Sequence, residues 1–533
     1  WSRALVPRRE RRPHQPKRAR CAAAVDKRRV SRHRDGSVVP RERGSDWTER
    51  PPRIATMLAS LTLLAAATGT LAKEPLTLIA DNTTVVPSDP KSAPFDFFSA
   101  PKAAGNWVAF YGAGGAQPGC RFNCDTTNGV FAKDMSSDDS KLRVVVRSSP
   151  GGDAMPDGSP INQTGEVALA SDGSAVFFAA STADVAAGFG TGSLLLALAP
   201  SSSDADRAFE TVVAVGDAAP GDTKFRAFDA GSLSVSGTAA DGIHLVFTAT
   251  TDAGAMGLFC ATRPAQTAGS SQKLGQGASW TLGKILDNST AMPAPDTHTT
   301  FKAIAEDESS PISHKGDYVL FFGGNMKGMM DPSNRDGVYL WSKKTGDVSY
   351  VASSNHTAVP AWDGWSFNGF GNAAMDVNKN GDKVLCFMAE AAEASGMDDA
   401  RVGIWCRLDS AANGEGPLRY MVGSTSVIPD SPEPTSPHNL FQMVDYPAVS
   451  LNEDGITFML VFQGNDGLGR RGVYRALAPE QLTTVTDWQD PVLKEAIFNI
   501  QLNVPAFGGG PVALWLGMKD GNEGIFSTAA ATF

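Results

Sequence analysis

Three short motifs recur in fixed order about every 67 residues, seven times between Leu76 and the C-terminus, and a period of that size means one supersecondary unit stacked against its own copies. The first motif is a hydrophobic-Pro step: Val86-Pro87, Met155-Pro156, Ala219-Pro220, Met292-Pro293, Val359-Pro360 and Ile428-Pro429, with Pro491 as a weaker seventh. The second is a Gly leading into an apolar pair, at Gly105, Gly173, Gly242, Gly316, Gly381, Gly455 and Gly510. The third is Gly-aliphatic-aromatic, ending at Phe131, Phe259, Tyr339, Trp405, Tyr474 and Phe526, with Gly192-Ser-Leu-Leu195 in that place in the second repeat.

The apolar runs are short, rich in Val, Ile, Phe and Tyr, and bounded by Gly, Asn, Asp and Pro, which reads as strands. A Gly before an apolar pair accepts the positive φ of a hairpin turn; Lys379-Asn380-Gly381 and Glu453-Asp454-Gly455 fit that chemistry. Only Asp487–Ile500 offers a fair helical period. Each unit then holds four strands: the run ending near Asp81 in the first repeat, a Phe-bearing run near Phe97, the run after the Gly, and the Gly-aliphatic-aromatic run. Four antiparallel strands per repeat make a β-propeller blade, and closure of the ring removes exposed edges. The expected fold is all-β, a seven-bladed propeller over residues 73–533. A row of β-sandwiches fits less well, because such a domain needs about 100 residues.

The first 72 residues stand apart. Residues 1–56 carry 17 Lys and Arg against 6 Asp and Glu, and are expected to be a disordered or spurious upstream extension. From Met57 to Ala72 a short apolar run ends in small residues, the pattern of a secretory signal peptide. It is too short for a membrane span of about 20 residues.

Setting aside residues 1–56 leaves 30 basic against 51 acidic residues, a net charge of −21. So acidic a chain repels phosphate polymers, which argues against a nucleic-acid partner. Cysteine usage suits an oxidising compartment. Cys386 and Cys406 would face each other across a hairpin centred near Gly396, and Cys120 and Cys124 could close a small loop; Cys260 is left over as an unpaired core residue. Four sequons, at Asn82, Asn162, Asn288 and Asn355, are candidate glycosylation sites of a secreted protein. Three of them lie five residues before the Pro of their repeat, although Asn and Thr are also ordinary turn residues.

The repeat resembles that of secreted proteins named for a tandem NxxGxxAF motif. Asn452-Glu-Asp-Gly455-Ile-Thr-Phe458 carries its first half, Asn378-Lys-Asn-Gly381 is a looser copy, and Leu78-Ile-Ala-Asp81 before Val86-Pro87 resembles the repeat's opening. The resemblance spans residues 76–533 and implies an extracytoplasmic repeat protein, with no catalytic residues to carry over. Residues 450–458 also resemble the Asp-box of sialidase-type propellers, with the spacing off by one.

Asp376, Asn378, Asn380 and Asp382 imitate the first half of a Ca²⁺ loop, but the twelfth position, which should be Glu, is Phe387. The segment also falls at a hairpin turn, the preferred reading, so no cofactor is expected, with Ca²⁺ as the alternative. The mature histidines are scattered without metal spacing, and no P-loop or Gly-x-Ser-x-Gly elbow is present. Two functions stay open. The preferred one is a secreted, monomeric, non-enzymatic binding module for an extracellular glycan or protein. Its candidate surfaces are Ala361–Phe370, with Trp362 and Trp365 suited to stacking on sugar rings, and Gly323–Arg335 with its three Met residues. The other is a carbohydrate-active hydrolase or lyase with Asp81, Asp217 and Asp287 converging at the central channel, at the roughly 5 to 10 Å that cooperating carboxylates need.

Overall fold

The computed structural model describes residues 76–529 apart from 90–91, 116–126, 138–139, 149–151, 189, 199–206, 230–231, 266–278, 306–312, 326–335, 355, 394–399, 431–435, 478–480, 491–495, 504–510 and 519–522. The upstream extension, the signal peptide, the Cys120–Cys124 loop, Asn355, Met326, Met329 and Met330 all lie outside the described residues.

Seven antiparallel sheets follow one another along the chain. Blade 1 spans residues 95–148, blade 2 163–214, blade 3 223–287, blade 4 303–353, blade 5 365–423 and blade 6 441–487. Blade 7 takes three strands from the C-terminus (Ala496–Asn503, Pro511–Met518 and Glu523–Ala529) and its fourth from the beginning, Thr77–Asp81. Thr77 pairs with Ser527 and Asp81 with Gly524, so the two ends of the chain close the ring. The strand count per repeat is as expected, but its phase is not. The run before each Pro step is the outer strand of the preceding blade, because it pairs with the preceding Gly-aliphatic-aromatic strand.

From blade 1 round to blade 7 the first strand of each blade contacts the first strand of the next and so lies nearest the axis. In blades 1, 3 and 4 this inner strand is broken in two, as in Phe95–Phe98 and Lys102–Ala104, both paired with Trp107–Gly114. In blades 2, 5, 6 and 7 it is continuous but slips register, as between Asp445 and Ala448. Bulges of this kind bend and twist a strand. Of the range with the helical period, Asp487 ends the outer strand of blade 6 and Ala496–Ile500 belongs to the inner strand of blade 7, while 491–495 lie outside the described residues. One short helix escaped the sequence pattern, Thr182–Ala187 in blade 2, capped by Ser181 and Asp184.

The motifs now have physical roles. The hydrophobic-Pro step is the connector from an outer strand to the next inner strand, and its apolar residue (Val86, Met155, Ala219, Met292, Val359 or Ile428) is buried in six repeats, Pro491 of the seventh lying outside the described residues. The six described hairpin glycines between first and second strands have φ between +55° and +105°. The aromatic of the third motif packs edge-on against a Phe on the inner strand or just before it: Phe95–Phe131 at 5.0 Å, Phe225–Phe259 at 5.1 Å, Phe301–Tyr339 at 4.9 Å, Phe367–Trp405 at 5.0 Å and Phe441–Tyr474 at 4.9 Å. Each such pair contributes about 0.5–1.5 kcal/mol beyond its buried area. The Gly two residues earlier gives the ring room, since a Cβ on Gly472 would meet the Tyr474 ring at 2.7 Å. Cys386 and Cys406 are cross-strand partners in blade 5 and form a disulfide, their Cα atoms 4.1 Å apart. Cys260 is a free thiol, half-buried, with burial pushing its pKa up.

Candidate functional site

Because an outer strand ends where the next inner strand begins, one face of the ring gathers the connectors and the loops between second and third strands. The opposite face holds the hairpins between first and second strands.

Asp81 and Asp287 end the outer strands of blades 7 and 3, and Asp217 lies on the connector after the outer strand of blade 2. Each serves its own turn. Asp81 accepts from the N–H and hydroxyl groups of Thr83 and Thr84; burial raises its pKa, but these bonds outweigh it and the net shift is down. Asp217 accepts from the Ala214 N–H at 2.7 Å. Asp287 is likewise pushed up by burial, yet Lys284 at 2.8 Å and Ser289 hold it at about 2.

The calcium-like segment is spent on protein contacts. Asp376 accepts from the Leu451 N–H at 2.9 Å and faces Lys315 at 3.3 Å, joining the inner strands of blades 4, 5 and 6. Asn378 Oδ1 accepts from the N–H groups of Asn380 and Asp382, its Nδ2 donates to Asp382, and Asn380 donates to the Glu453 carbonyl. Among the described residues no three His, Cys, Asp or Glu side chains are grouped to hold a metal ion.

Among the sequons, Asn82 donates to the Phe95 carbonyl and accepts from the Glu523 N–H, within the closure of the ring. Asn162 donates to Thr182 Oγ1, and Asn288 follows the Asp287 turn.

Trp362 and Trp365 lie on the connector face of blade 5, ring centroids 5.4 Å apart. Trp362 is buried against Trp405 and Tyr420, while Trp365, at the start of the inner strand, is partly exposed. The Arg401 guanidinium lies 4.6 Å from the Trp365 ring centroid and 5.5 Å from that of Trp362.

Two groups were missed in the sequence, one on the inner strand of blade 6 and one on its second and third strands. Asp445 is buried where the blade 6 strand slips register and accepts from Asn372 of blade 5 at 2.8 Å; burial pushes its pKa up. Gln463, Asn465, Arg471 and Arg475 of blade 6 share the face that carries Val461 and Val473, and that broken alternation was the available signal.

No family model and no curated protein matches this chain. Among solved structures, the β-propeller domain of the Trilobed protease from Pyrococcus furiosus is similar at 8% identity over 82% of this chain and 95% of that one, with a TM-score of 0.40. Polysaccharide lyase Uly1 is similar at 11% identity over 86% and 99%, with a TM-score of 0.43. Trypanosoma rangeli sialidase in complex with sialic acid is similar at 10% identity over 76% and 59%, with a TM-score of 0.36.

Proposed function

We propose that this seven-bladed propeller is a secreted, non-enzymatic binding module with NxxGxxAF-type repeats, which presents its connector face to an extracellular glycan. One observation carries the reading. Of nine large, exposed apolar side chains among the described residues, seven lie at the connector end of the blades: Val85, Phe97, Val185, Val427, Leu440, Met443 and Leu468. Leu78 on an outer strand and Ile456 in a hairpin are the other two. Apolar surface gathered on one side of a soluble ring marks a face that is covered in use. Trp365 on the same face offers its ring to the C–H side of a sugar. The signal-like segment before Lys73, the sequons and the buried Cys386–Cys406 disulfide support an extracellular setting. Among the described residues no helix is long and apolar enough to cross a membrane.

The test is a glycan array probed with the secreted chain, with a Trp365→Ala variant, and with a variant carrying Ser at positions 427, 440, 443 and 468. Binding that falls at least tenfold in both variants, with unchanged circular dichroism, is the expected result. Binding to no glycan, or binding that both variants retain, overturns the reading.

A further inference from the structure

Arg401 and Arg470 hold the same place in consecutive repeats. Across the second and third strands Trp405 stands opposite Phe387 in blade 5, and Tyr474 stands opposite Phe462 in blade 6. Four residues out from these pairs, toward the connector face, lie Arg401 opposite Ala391 and Arg470 beside Asp466. Both guanidinium groups stack on tryptophan. Arg470 lies 4.5 Å from the Trp488 ring centroid, and Arg401 lies 4.6 Å from that of Trp365.

The two copies differ in what answers the charge. Arg470 is bound by the Asp466 carboxylate, which also accepts from the N–H groups of Leu468 and Arg470. Blade 5 has the buried Ala391 where blade 6 has Asp466. Among the described residues nothing takes over that role, and Arg401 forms no hydrogen bond and no ion pair. Its residue is partly exposed and none of its nitrogens is closed to water. Asp363 follows Trp362 and Glu393 stands opposite Trp365; both are exposed, and neither pairs with Arg401.

A guanidinium stacked on an indole is held flat, and its edge presents N–H groups as a fork that matches a carboxylate. In blade 6 the protein fills that fork itself; in blade 5 the fork is left open to solvent beside Trp365. We propose that Arg401 anchors an acidic saccharide on the connector face of blade 5, with the sugar's carboxylate on the guanidinium edge and its ring beside Trp365. This rests on the glycan-binding reading above and names its ligand class. Asp363 and Glu393 oppose any anion, so the grip depends on the two-pronged bond and not on charge alone.

The experiment compares uronic-acid oligosaccharides with the same oligosaccharides reduced at the carboxyl to alcohols. It uses the full secreted chain and the variants Arg401→Gln, Arg401→Lys and Ala391→Asp. The wild type is expected to hold the acidic members about tenfold more tightly than the reduced ones, or better. Arg401→Gln should abolish that preference, and Arg401→Lys, which keeps the charge but not the fork, should lose most of it. Ala391→Asp copies blade 6 and gives Arg401 a carboxylate of its own, so the preference should go although Arg401 and Trp365 are both in place. Melting curves identify a variant that does not fold, and the folded ones then decide. A wild type without the preference overturns the proposal, and so does any folded variant that keeps it in full; in both cases the binding module itself stands. Binding to no glycan at all overturns both.

Discussion

Arg263 Nε, on the third strand of blade 3, lies 3.2 Å from one carboxylate oxygen of Glu210 and 3.3 Å from the other, and Glu210 belongs to the outer strand of blade 2. Both side chains are almost closed to water. A pair so placed ties two blades together across a buried contact. Glu210→Ala is therefore expected to cost about 3–5 kcal/mol, while the double change Glu210→Leu with Arg263→Met restores most of it. Urea unfolding of the wild type and the two variants measures this; a single-variant loss below about 1 kcal/mol would mean that water reaches the pair.

The Cys386–Cys406 disulfide closes a sequence separation of 20 residues between two buried positions. Loop-closure entropy for a loop of this size is worth about 3 kcal/mol. The double variant Cys386→Ala with Cys406→Ala should unfold at lower urea by that amount. It should also lose all dependence on added reductant, whereas the wild type drops toward it only when reduced in denaturant. Equal midpoints for the two proteins would contradict a formed bond.

The number of blades, the hairpin glycines and the pairing of Cys386 with Cys406 were legible because each rests on local chemistry with a fixed period or a fixed distance from a turn. The phase of the repeat was not. Whether the strand ending at Asp81 pairs forward or backward is decided by a partner at the far end of the chain, Glu523–Ala529, and no linear pattern encodes that. The helical period over Asp487–Ile500 failed for a related reason. It straddles the end of an outer strand and the start of an inner one, two elements whose apolar positions merely add up to a helix-like spacing. Arg471 could have been noticed, with Arg475, as a charge on the side that carries Val461 and Val473, but only the structure shows that Asp466 is taken by Arg470.

His314 on the inner strand of blade 4 gives the ring a pH dependence. Burial lowers its pKa to about 4; His244 and Lys343 push the same way, and its bond to the Gly316 carbonyl opposes them. His244, packed edge-on at 6.3 Å, is also lowered, by burial and Lys343 against the pull of Asp317. An unfolded histidine takes its proton near pH 6.5, so below that value the unfolded chain binds more protons than the folded one. Stability is full above about pH 6.5 and falls as the pH drops toward 4, by no more than about 1.4 kcal/mol per pH unit for this group. Urea midpoints at pH 7, 6 and 5 should fall more steeply in the wild type than in His314→Gln. Identical slopes would place the acid sensitivity elsewhere.

The aromatic pairs of the blades are matched to glycines, and that match can be measured as a coupling. A Cβ on Gly464 would stand 2.4 Å from the Phe441 ring, a distance no real pair of atoms holds. Gly464→Ala must therefore shift the ring from its edge-on contact with Tyr474, 4.9 Å between centroids, at a cost of about 1–3 kcal/mol. Phe441→Leu alone costs a comparable amount by opening space beside Tyr474. The two together should cost less than their sum by 1 kcal/mol or more, because the added methyl then occupies part of the space the ring gave up. Gly216 serves as the control, since nothing lies within 4 Å of a Cβ built there and its φ of +91° makes any penalty one of backbone strain. Gly216→Ala should be additive with Phe441→Leu in the same double-mutant cycle. Additivity at Gly464 as well would show that the glycine is kept for its backbone and not for the ring.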